Sequence, residues 1–380
     1  MKTARALLAP VALAMWMLAC GGESSVDSQP QNQNSTLHAA IQAEMSKDGL
    51  PSLAACIIKG DKIVWQNFYG FSNVADKKVP TAETVYILAS ISKTVTATAI
   101  MQLWEKGQLD LDKDISEYLP FKIRNPQYPD VPITTRLLLT HRSGLAHPNG
   151  EDPNFYQRYT DDTAPVLGPW LREYLLPDGS EYVAAMWKNA RPGTIFENSN
   201  VGVALLGYLV EAITGVDFGE YCRKNIFAPL AMEHSGFRLR DVEANHLAAL
   251  HTSATATTAQ YSVKFYPAVM MRSSIKEFSH FAIAYLNGGE YGGKRILQTA
   301  TINEMFRLHV PEAGLGLIWR NLGNGYVGHT GGLTGVSSSL SIDTANKLGL
   351  LIFTNLVNKV TVYPGGKIYE LIREEAVKYR

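Results

Sequence analysis

The sequence predicts an α+β fold in which both chain ends build one antiparallel sheet flanked by helices, and a mainly helical lobe is inserted between them. β-rich runs lie near both ends, at residues 52–68 and 314–354. A segment with helical periodicity lies outside them at each end, at 36–47 and 367–378. The part between is mainly helical and turn-rich. A cleft between two such lobes is a common place for a ligand site.

The first elements are a helix and a hairpin. A helix is expected over 36–47, because Ser35 can cap its start and Gly49 follows its end. Residues 52–59 and 62–68 are rich in strand-forming side chains and are joined by a Gly-Asp pair. That pattern is typical of an antiparallel hairpin.

A buried helix is expected over residues 94–104, because apolar side chains occupy nearly all of its faces. Gly107 supplies its end. Ser90 lies where the chain enters this helix, and Lys93 lies one turn further on, over the same face.

Turn-rich and periodic segments alternate in the rest of the chain. Residues 149–192 are rich in Asp, Pro and Tyr without a clear period, which indicates an irregular or helical insertion. The remaining helices are expected at 201–214, 275–286 and 367–378, and the remaining strands at 314–320, 325–330, 337–342 and 348–354.

Composition limits the function classes. The chain has 380 residues, its 35 Lys and Arg balance 35 Asp and Glu, and it has no basic tract. Nucleic acid is therefore not an expected partner. The sequence has no His/Cys cluster with metal-ligand spacing and no Gly-rich phosphate loop, so no metal or other cofactor is expected. Cys56 and Cys222 each lie in an apolar run, and either a disulfide or two buried thiols would fit.

The first 34 residues have a different character. Residues 1–20 have a short basic start and an apolar run that ends in Met-Leu-Ala-Cys, which resembles a bacterial lipoprotein signal peptide. Cys20 would then carry the lipid and anchor the exported protein in the bacterial envelope. Plain secretion is the alternative, because Met17 is unusual in such a signal. Residues 21–34 indicate a flexible linker, and 35–380 the folded domain.

The Ser90–Lys93 pair suits nucleophilic catalysis. A serine hydroxyl is a weak nucleophile until a base takes its proton. A lysine within an apolar helix loses solvation, which lowers its pKa and allows it to act as that base. The alternative is structural, because Ser-x-x-Lys is a short motif and Ser90 or Ser92 can simply cap the helix.

Four local patterns, in this order, resemble the penicillin-recognising serine hydrolases, which include class C β-lactamases, DD-peptidases, D-aminopeptidases and family VIII esterases. The resemblance covers the chain from Ser35 onward. The patterns are Ser90-Ile91-Ser92-Lys93, the segment 138–145, Pro192-Gly193-Thr194 and His329-Thr330-Gly331-Gly332.

The resemblance implies a β-lactamase/transpeptidase-like fold and roles for these residues. Ser90 would be the acylated nucleophile and Lys93 its activating partner. His329, with Thr330 and Gly331, falls where the family carries Lys-Thr-Gly or His-x-Gly on the strand beside the site. The N–H groups of Ser90 and Gly332 would form the oxyanion hole. On its own, the His-Thr-Gly-Gly pattern also fits a Gly-rich turn after a strand.

One position departs from the family. Asn198 stands where the family's Tyr-x-Asn motif has its tyrosine, and Asn200 matches the asparagine. An amide cannot take a proton as a phenolate can. Asn198 can still bond to Ser90 or to substrate. Glu197 or His329 could take the place of the tyrosine, although Glu197 is expected to face elsewhere. Asn200 fits equally a substrate contact and, like Ser199, a helix cap.

Other residues of the same motifs are expected to be structural. His141 is expected to pack or to bond to backbone, residues 269–271 to pack in the core, and Trp319 to pack on the sheet.

The predicted function is that of a serine hydrolase, weakened by Asn198, that acts through a Ser90 acyl-enzyme. Its substrate would be a small ester, a D-amino-acid amide or peptide, or a β-lactam. His329 in place of lysine favours esters or D-amino-acid amides, because it supplies less permanent positive charge. The alternative is a non-catalytic ligand-binding or regulatory lipoprotein of the same fold.

Overall fold

The structure is a computed structural model that describes residues 35–147, 152, 154–358 and 361–380. The predicted signal peptide, its Cys20 and the linker lie outside the described residues. All of the described residues belong to one compact unit.

A six-stranded antiparallel sheet joins the two ends of the chain, as predicted. Its strand order is β2-β1-β12-β11-β10-β9. The ends meet where β1 pairs with β12, from Leu53 opposite Thr354 to Lys59 opposite Leu348. The six strands are β1 Ser52–Lys59, β2 Lys62–Gly70, β9 Arg320–Gly323, β10 Tyr326–Leu333, β11 Val336–Asp343 and β12 Leu348–Thr354.

Three two-stranded ribbons, which the sequence patterns did not predict, complete the β structure of the described chain. They are β3 Val85–Ile87 with β6 Arg272–Ser274, β4 Leu250–His251 with β5 Thr257–Thr258, and β7 Glu290–Tyr291 with β8 Lys294–Arg295.

The prediction of a strand at 314–320 is wrong. Strand β9 begins only at Arg320. Gly314 and Ile318 both have positive φ, which breaks an extended run. The N–H of Ile318 donates to the carbonyl of Leu139, 2.9 Å away in the helical lobe, and not to a strand of the sheet.

Helices cover both faces of the sheet and fill the middle of the chain. The α-helices of the described residues are α1 Ser35–Asp48, α2 Ser92–Glu105, α3 Thr135–Leu139, α4 Leu167–Leu175, α5 Asn200–Thr214, α6 Phe218–Cys222, α7 Ile275–Leu286, α8 Thr299–Phe306 and α9 Lys367–Val377. The described part of the insertion at 149–192 is mostly irregular and contains α4.

Alternating side chains of β1 divide the core in two. Leu53, Ala55 and Ile57 pack with α1 and α9 on one face of the sheet. Ala54, Cys56 and Ile58 pack on the other face with α2, α5 and α7, in line with the two-residue repeat of a strand. Every residue of α2 from Ser92 to Leu103 is buried, as predicted for this helix.

The two cysteines of the described chain, Cys56 and Cys222, are buried free thiols and do not form a disulfide. Within the described residues no single helix has the length and apolar character to cross a membrane. One pair, Asn200–Thr214 with Phe218–Leu230, meets that test only when taken together, and its two parts are bent by 80°.

Candidate active site

Ser90 lies in a 3₁₀ turn, Ala89–Ile91, that leads into α2. Ala89 has a φ of 45°, a left-handed conformation that is uncommon outside glycine. The Ser92 hydroxyl donates to the carbonyl of Ala89 at 2.6 Å and accepts from the N–H of Met271 at 2.9 Å. Neither serine caps α2, because the cap position is Ile91 and carries no side-chain hydrogen bond. The Ser92 side chain instead fixes the turn that presents Ser90.

Lys93 contacts Ser90 as the spacing predicted. Its Nζ lies 2.8 Å from the Ser90 Oγ and 3.1 Å from the carbonyl oxygen of Ala268. The lysine is fully buried, whereas Ser90 is half-buried and open to a ligand. The pair therefore has the geometry of a nucleophile and its proton acceptor.

Burial, together with a smaller effect of the positive charge of Arg320, lowers the pKa of the Lys93 amine to about 7. A lysine with its ordinary pKa would hold its proton at neutral pH and could not act as a base. With a pKa near 7, a large fraction of Lys93 is neutral at pH 7 and can accept the Ser90 proton.

Strand β10 lies against the nucleophile turn because residue 331 is a glycine. A Cβ added to Gly331 would lie 2.8 Å from the backbone nitrogen of Ser90 and even closer to the carbonyl of Leu88. The Ser338 hydroxyl of the neighbouring strand β11 donates to the same Leu88 carbonyl at 2.7 Å. The sheet and the turn are thus held in direct contact at the site.

The register of β10 sets the direction of the Gly332 N–H. Leu333 and Val336 pair across a two-residue turn, so they exchange the hydrogen bonds of the β10–β11 ladder. Hydrogen-bonded and non-bonded pairs alternate in an antiparallel ladder, which leaves the N–H of Gly332 pointing away from β11. Thr330 lies two residues before Gly332 and therefore has the same orientation in the ladder, and it is half-buried.

His329 is buried beside Lys93 and is neutral. Its Nδ1 lies 2.7 Å from the Thr330 carbonyl oxygen, which assigns the proton to that nitrogen. Burial first, then the charges of Lys93 and Arg320, lower the pKa of His329 to about 3. Among the described residues its Nε2 has no hydrogen-bond partner. His329 therefore brings a lone pair to the site and no charge.

The two asparagines that correspond to the family's Tyr-x-Asn motif, Asn198 and Asn200, occupy different environments. The Asn198 side chain is exposed and makes no hydrogen bond to Ser90 or Lys93 among the described contacts. Asn200 is buried as the first residue of α5. The cap is Ser199, whose hydroxyl accepts from the N–H of Gly202 at 3.0 Å. Capping is therefore not the role of Asn200.

Two further expectations for polar residues are confirmed. Glu197 is engaged elsewhere, since its carboxylate lies 3.8 Å from the Nζ of Lys188 and the described contacts of Ser90 and Lys93 do not include it. His141 is structural, because its Nδ1 accepts from the N–H of Ser199 at 3.3 Å and its carbonyl accepts from the N–H of Glu197 at 2.8 Å. These bonds tie the Asn198 segment to the body of the protein.

The expected core residues are buried, with one difference. Val269, Met270 and Met271 are buried as predicted. Trp319, which was expected to pack on the sheet, has its ring centre 4.6 Å from that of Tyr285 in α7 and 5.0 Å from that of Phe306 in α8. The irregular backbone before β9 turns its side chain toward α7.

Sequence reasoning missed three contributors to the site. The Ala268 carbonyl binds Lys93, and His147 lies near enough for the Lys93 charge, together with burial, to lower the pKa of its imidazole to about 4. The third is Arg320, which the strand pattern identifies only as the end of the run 314–320. The alternation of a strand could have placed the Arg320 side chain on the face opposite that of Trp319. No local sequence signal indicates that Arg320 lies near Lys93.

The described residues contain no group of three or more His, Cys, Asp or Glu side chains placed to hold a metal ion.

Comparisons with known proteins show the family and the fold of the chain. Residues 37–370 match the Beta-lactamase family model. Protein flp of Staphylococcus aureus (strain MRSA252) is 25% identical over 340 residues, which are 87% of this chain and 63% of that protein. The chain thus spans less than two thirds of the length of this relative. Beta-lactamase-like protein 2 of Dictyostelium discoideum is 31% identical over 210 residues, 53% of this chain and 36% of that protein.

Solved structures share the fold. The octameric penicillin-binding protein homologue from Pyrococcus abyssi superposes with a TM-score of 0.71 at 24% identity, over 90% of this chain and 77% of that one. The D-amino acid amidase from Ochrobactrum anthropi SV3, complexed with D-phenylalanine, gives 0.68 at 21% identity, over 90% and 99%. The chain therefore belongs to the beta-lactamase family and has the fold of the penicillin-recognising serine hydrolases.

Proposed function

We propose that this chain is a hydrolase that forms an acyl-enzyme at Ser90 with small carbonyl substrates. The observation that carries the proposal is the 2.8 Å contact between the Ser90 hydroxyl and the Lys93 amine, whose pKa burial lowers to about 7. A nucleophile within hydrogen-bond reach of a base that is partly neutral at the working pH is the basic requirement for acyl transfer.

The proposed reaction uses only groups of the chain and water. Neutral Lys93 takes the proton of Ser90 while the Oγ attacks the substrate carbonyl carbon. The N–H groups of Ser90 and Gly332 stabilise the oxyanion, and Lys93 returns its proton to the leaving group as the acyl bond breaks. Water then attacks the acyl-enzyme with Lys93 again accepting a proton, which releases the acid and restores Ser90.

The substrate class is proposed from the family together with the site. One structural neighbour is a D-amino acid amidase and another is a penicillin binding protein from Bacillus halodurans. We propose that this chain acts on a small ester, a D-amino-acid amide or peptide, or a β-lactam. Thr330 and Gly331 of β10 and Asn200 of α5 would contact the substrate.

Asn198 is expected to lower the rate. Its exposed amide cannot relay a proton, so Lys93 must act without the help that the family tyrosine gives. General acid–base assistance contributes about 10²–10⁴-fold in enzymes. A non-catalytic ligand-binding protein is the second candidate function, because the Asn198 substitution removes that assistance while the cleft residues remain.

Covalent labelling separates the two candidates. A fluorophosphonate or fluorescent penicillin probe is expected to label the purified protein, and Ser90→Ala is expected to abolish the label. Ser46→Ala is the matched control, because Ser46 is an exposed serine of α1. Absence of labelling by both probes in a folded protein would favour the ligand-binding candidate.

We further propose that the chain is exported and anchored in the bacterial envelope through a lipid on Cys20, as its first 20 residues suggest. Expression with radiolabelled palmitate in a bacterial host tests this. Incorporation should depend on Cys20, and a Cys20→Ser variant that still incorporates palmitate would contradict the proposal.

A further inference from the structure

A strap of the insertion, residues 154–162, packs beside the proposed active site. The ring of Phe155 is buried and stacks on Phe265 with 4.5 Å between the ring centres. Phe265 lies three residues before Ala268, whose carbonyl binds Lys93. The start of the strap is therefore fixed on the segment of chain that holds the proposed base.

Backbone hydrogen bonds hold the rest of the strap in place. The N–H of Tyr159 donates to the carbonyl of Ser262 at 3.0 Å, and the N–H of Ser262 donates back to the Tyr159 carbonyl at 2.7 Å. The Asp162 carboxylate accepts from two further backbone N–H groups, at 2.8 and 2.9 Å. These bonds follow Arg158 in the chain and the Phe155 contact precedes it, so the backbone at Arg158 has a defined position.

The Arg158 side chain extends from the strap to the turn between β10 and β11. Its guanidinium donates to the Thr334 hydroxyl at 2.7 Å, and its guanidinium carbon lies 4.8 Å from the centre of the Tyr261 ring. The Tyr261 hydroxyl donates to the carbonyl of Thr334 at 2.9 Å. Tyr261 is buried, and the arginine covers one face of its ring. Arg158 therefore bridges the insertion and the sheet over an aromatic ring.

This bridge lies a short distance beyond the proposed oxyanion donor. Gly332 supplies that donor, and Thr334 follows it by two residues at the end of β10. Because a strand rises about 3.4 Å per residue, the two positions are about 7 Å apart. A substrate group that extends from Ser90 along β10 towards Thr334 therefore meets Arg158 after about that length.

We propose that Arg158 closes this end of the cleft, so that esters and amides with a short group along β10 are accepted and those with an extended group are excluded. This inference rests on the proposed acyl transfer at Ser90. The barrier is one side chain held by a hydrogen bond and a ring contact, and its removal would expose the Tyr261 ring as an apolar continuation of the cleft. Arg158 is thus a specificity-determining residue and takes no part in the chemistry.

Two pairs of esters that differ in length test the proposal, one pair extended on each side of the bond that is cleaved. The acyl group is lengthened from 4-nitrophenyl acetate to 4-nitrophenyl octanoate, and the leaving group from phenyl acetate to biphenyl-4-yl acetate. The measured quantity is the ratio of kcat/KM for the longer ester to that for the shorter one. Arg158→Ala is expected to raise this ratio about 10-fold in at least one pair, because the longer ester no longer has to displace a charged hydrogen bond.

Thr334→Val should raise the same ratio, because it removes the hydroxyl that Arg158 binds and keeps the backbone carbonyl that Tyr261 binds. The two changes together should raise the ratio no further than Arg158→Ala alone, since both break one bridge. Arg223→Ala is the matched control, because Arg223 is an exposed arginine that pairs with Glu220, and it should leave both ratios unchanged.

The outcomes separate this closure from the proposed function. Hydrolysis with both ratios unchanged in Arg158→Ala and Thr334→Val would overturn the closure while leaving acyl transfer intact. If no ester is hydrolysed, acyl transfer fails and calorimetry tests the closure, with the two longer esters titrated into the Ser90→Ala protein. Binding of either ester tightened about 10-fold by an added Arg158→Ala would support the closure, and binding that is unchanged or absent would overturn it.

Discussion

At the scale of single residues, the proposed chemistry depends on the buried Lys93 amine. Its Nζ has the Ser90 hydroxyl and the Ala268 carbonyl as hydrogen-bond partners, and no carboxylate of the described chain pairs with it. A buried ammonium without an anion is destabilised relative to the neutral amine. The surroundings of Lys93 thereby favour the neutral amine, which is the form that the proposed acyl transfer requires in the absence of the family tyrosine.

The rate of ester hydrolysis is predicted to rise with pH through about 7. The working form of Lys93 is the neutral amine, so activity is lost as pH falls below its pKa of about 7, by about tenfold for each further pH unit. The measurement is kcat/KM for a neutral ester between pH 5 and 9. Arg320→Gln should move the midpoint upward, because removal of a nearby positive charge makes protonation of Lys93 easier. A flat profile would exclude Lys93 as the base.

The contact between β10 and the nucleophile turn matters at the scale of elements. Gly331 allows the strand to approach the Ser90 backbone, and the Ser338 hydroxyl holds the Leu88 carbonyl on the same side. The proposed oxyanion donors come from these two elements, one from the turn and one from Gly332. Their separation is therefore set by the packing of a strand on a turn more than 200 residues away in the chain.

Gly331→Ala is predicted to impair the site by moving β10 away from the turn. The added methyl group would overlap backbone atoms that cannot rotate aside, at a cost of about 1–3 kcal/mol in the free energy of unfolding. Because a shift of about 1 Å can cost about 10²-fold in rate, labelling of Ser90 should slow strongly. Labelling kinetics and urea unfolding measure the two effects.

Gly202→Ala is the matched control for this prediction. Gly202 lies in α5, and a Cβ there would meet its nearest neighbour at 3.5 Å, an ordinary contact. The same change should stabilise the protein by about 0.5–1 kcal/mol, since alanine favours helix over glycine. A Gly331→Ala protein that labels as fast as Gly202→Ala would show that the close approach is unnecessary.

The pairing of β1 with β12 makes the whole molecule depend on both chain ends. Helices α1 and α9 share one core cluster on the sheet face opposite α2. A substitution that destabilises α9 should therefore also destabilise the sheet strands beside Ser90. This holds although α9 is distant from Ser90 in the sequence. The folded part is expected to unfold as a unit.

Ile372→Ala is predicted to destabilise the folded protein by about 2–5 kcal/mol, because Ile372 is fully buried in α9. Near-ultraviolet circular dichroism and loss of Ser90 labelling should follow the same, lower thermal midpoint. Val377→Ala is the matched control, as Val377 ends the same helix with 42% of its surface exposed, and it should change stability little. Labelling that is lost at a different temperature from the dichroism signal would contradict a single cooperative unit.

The sequence by itself determined the α+β organisation, the buried helix after Ser90 and the family. These features follow from local periodicity, turn residues and motif order, which are properties of neighbouring residues. The Ser90–Lys93 contact was also predictable, because a three-residue spacing on a helical turn brings two side chains together.

Only the tertiary structure decided the environment of that pair. The burial that lowers the pKa of Lys93, the neutral state of His329 and the approach of Arg320 from β9 depend on contacts between residues distant in the chain. The backbone from Gly314 to Trp319 bonds to the helical lobe, which local strand propensity could not reveal. Electrostatic and packing effects act through space, so residue order alone does not specify them.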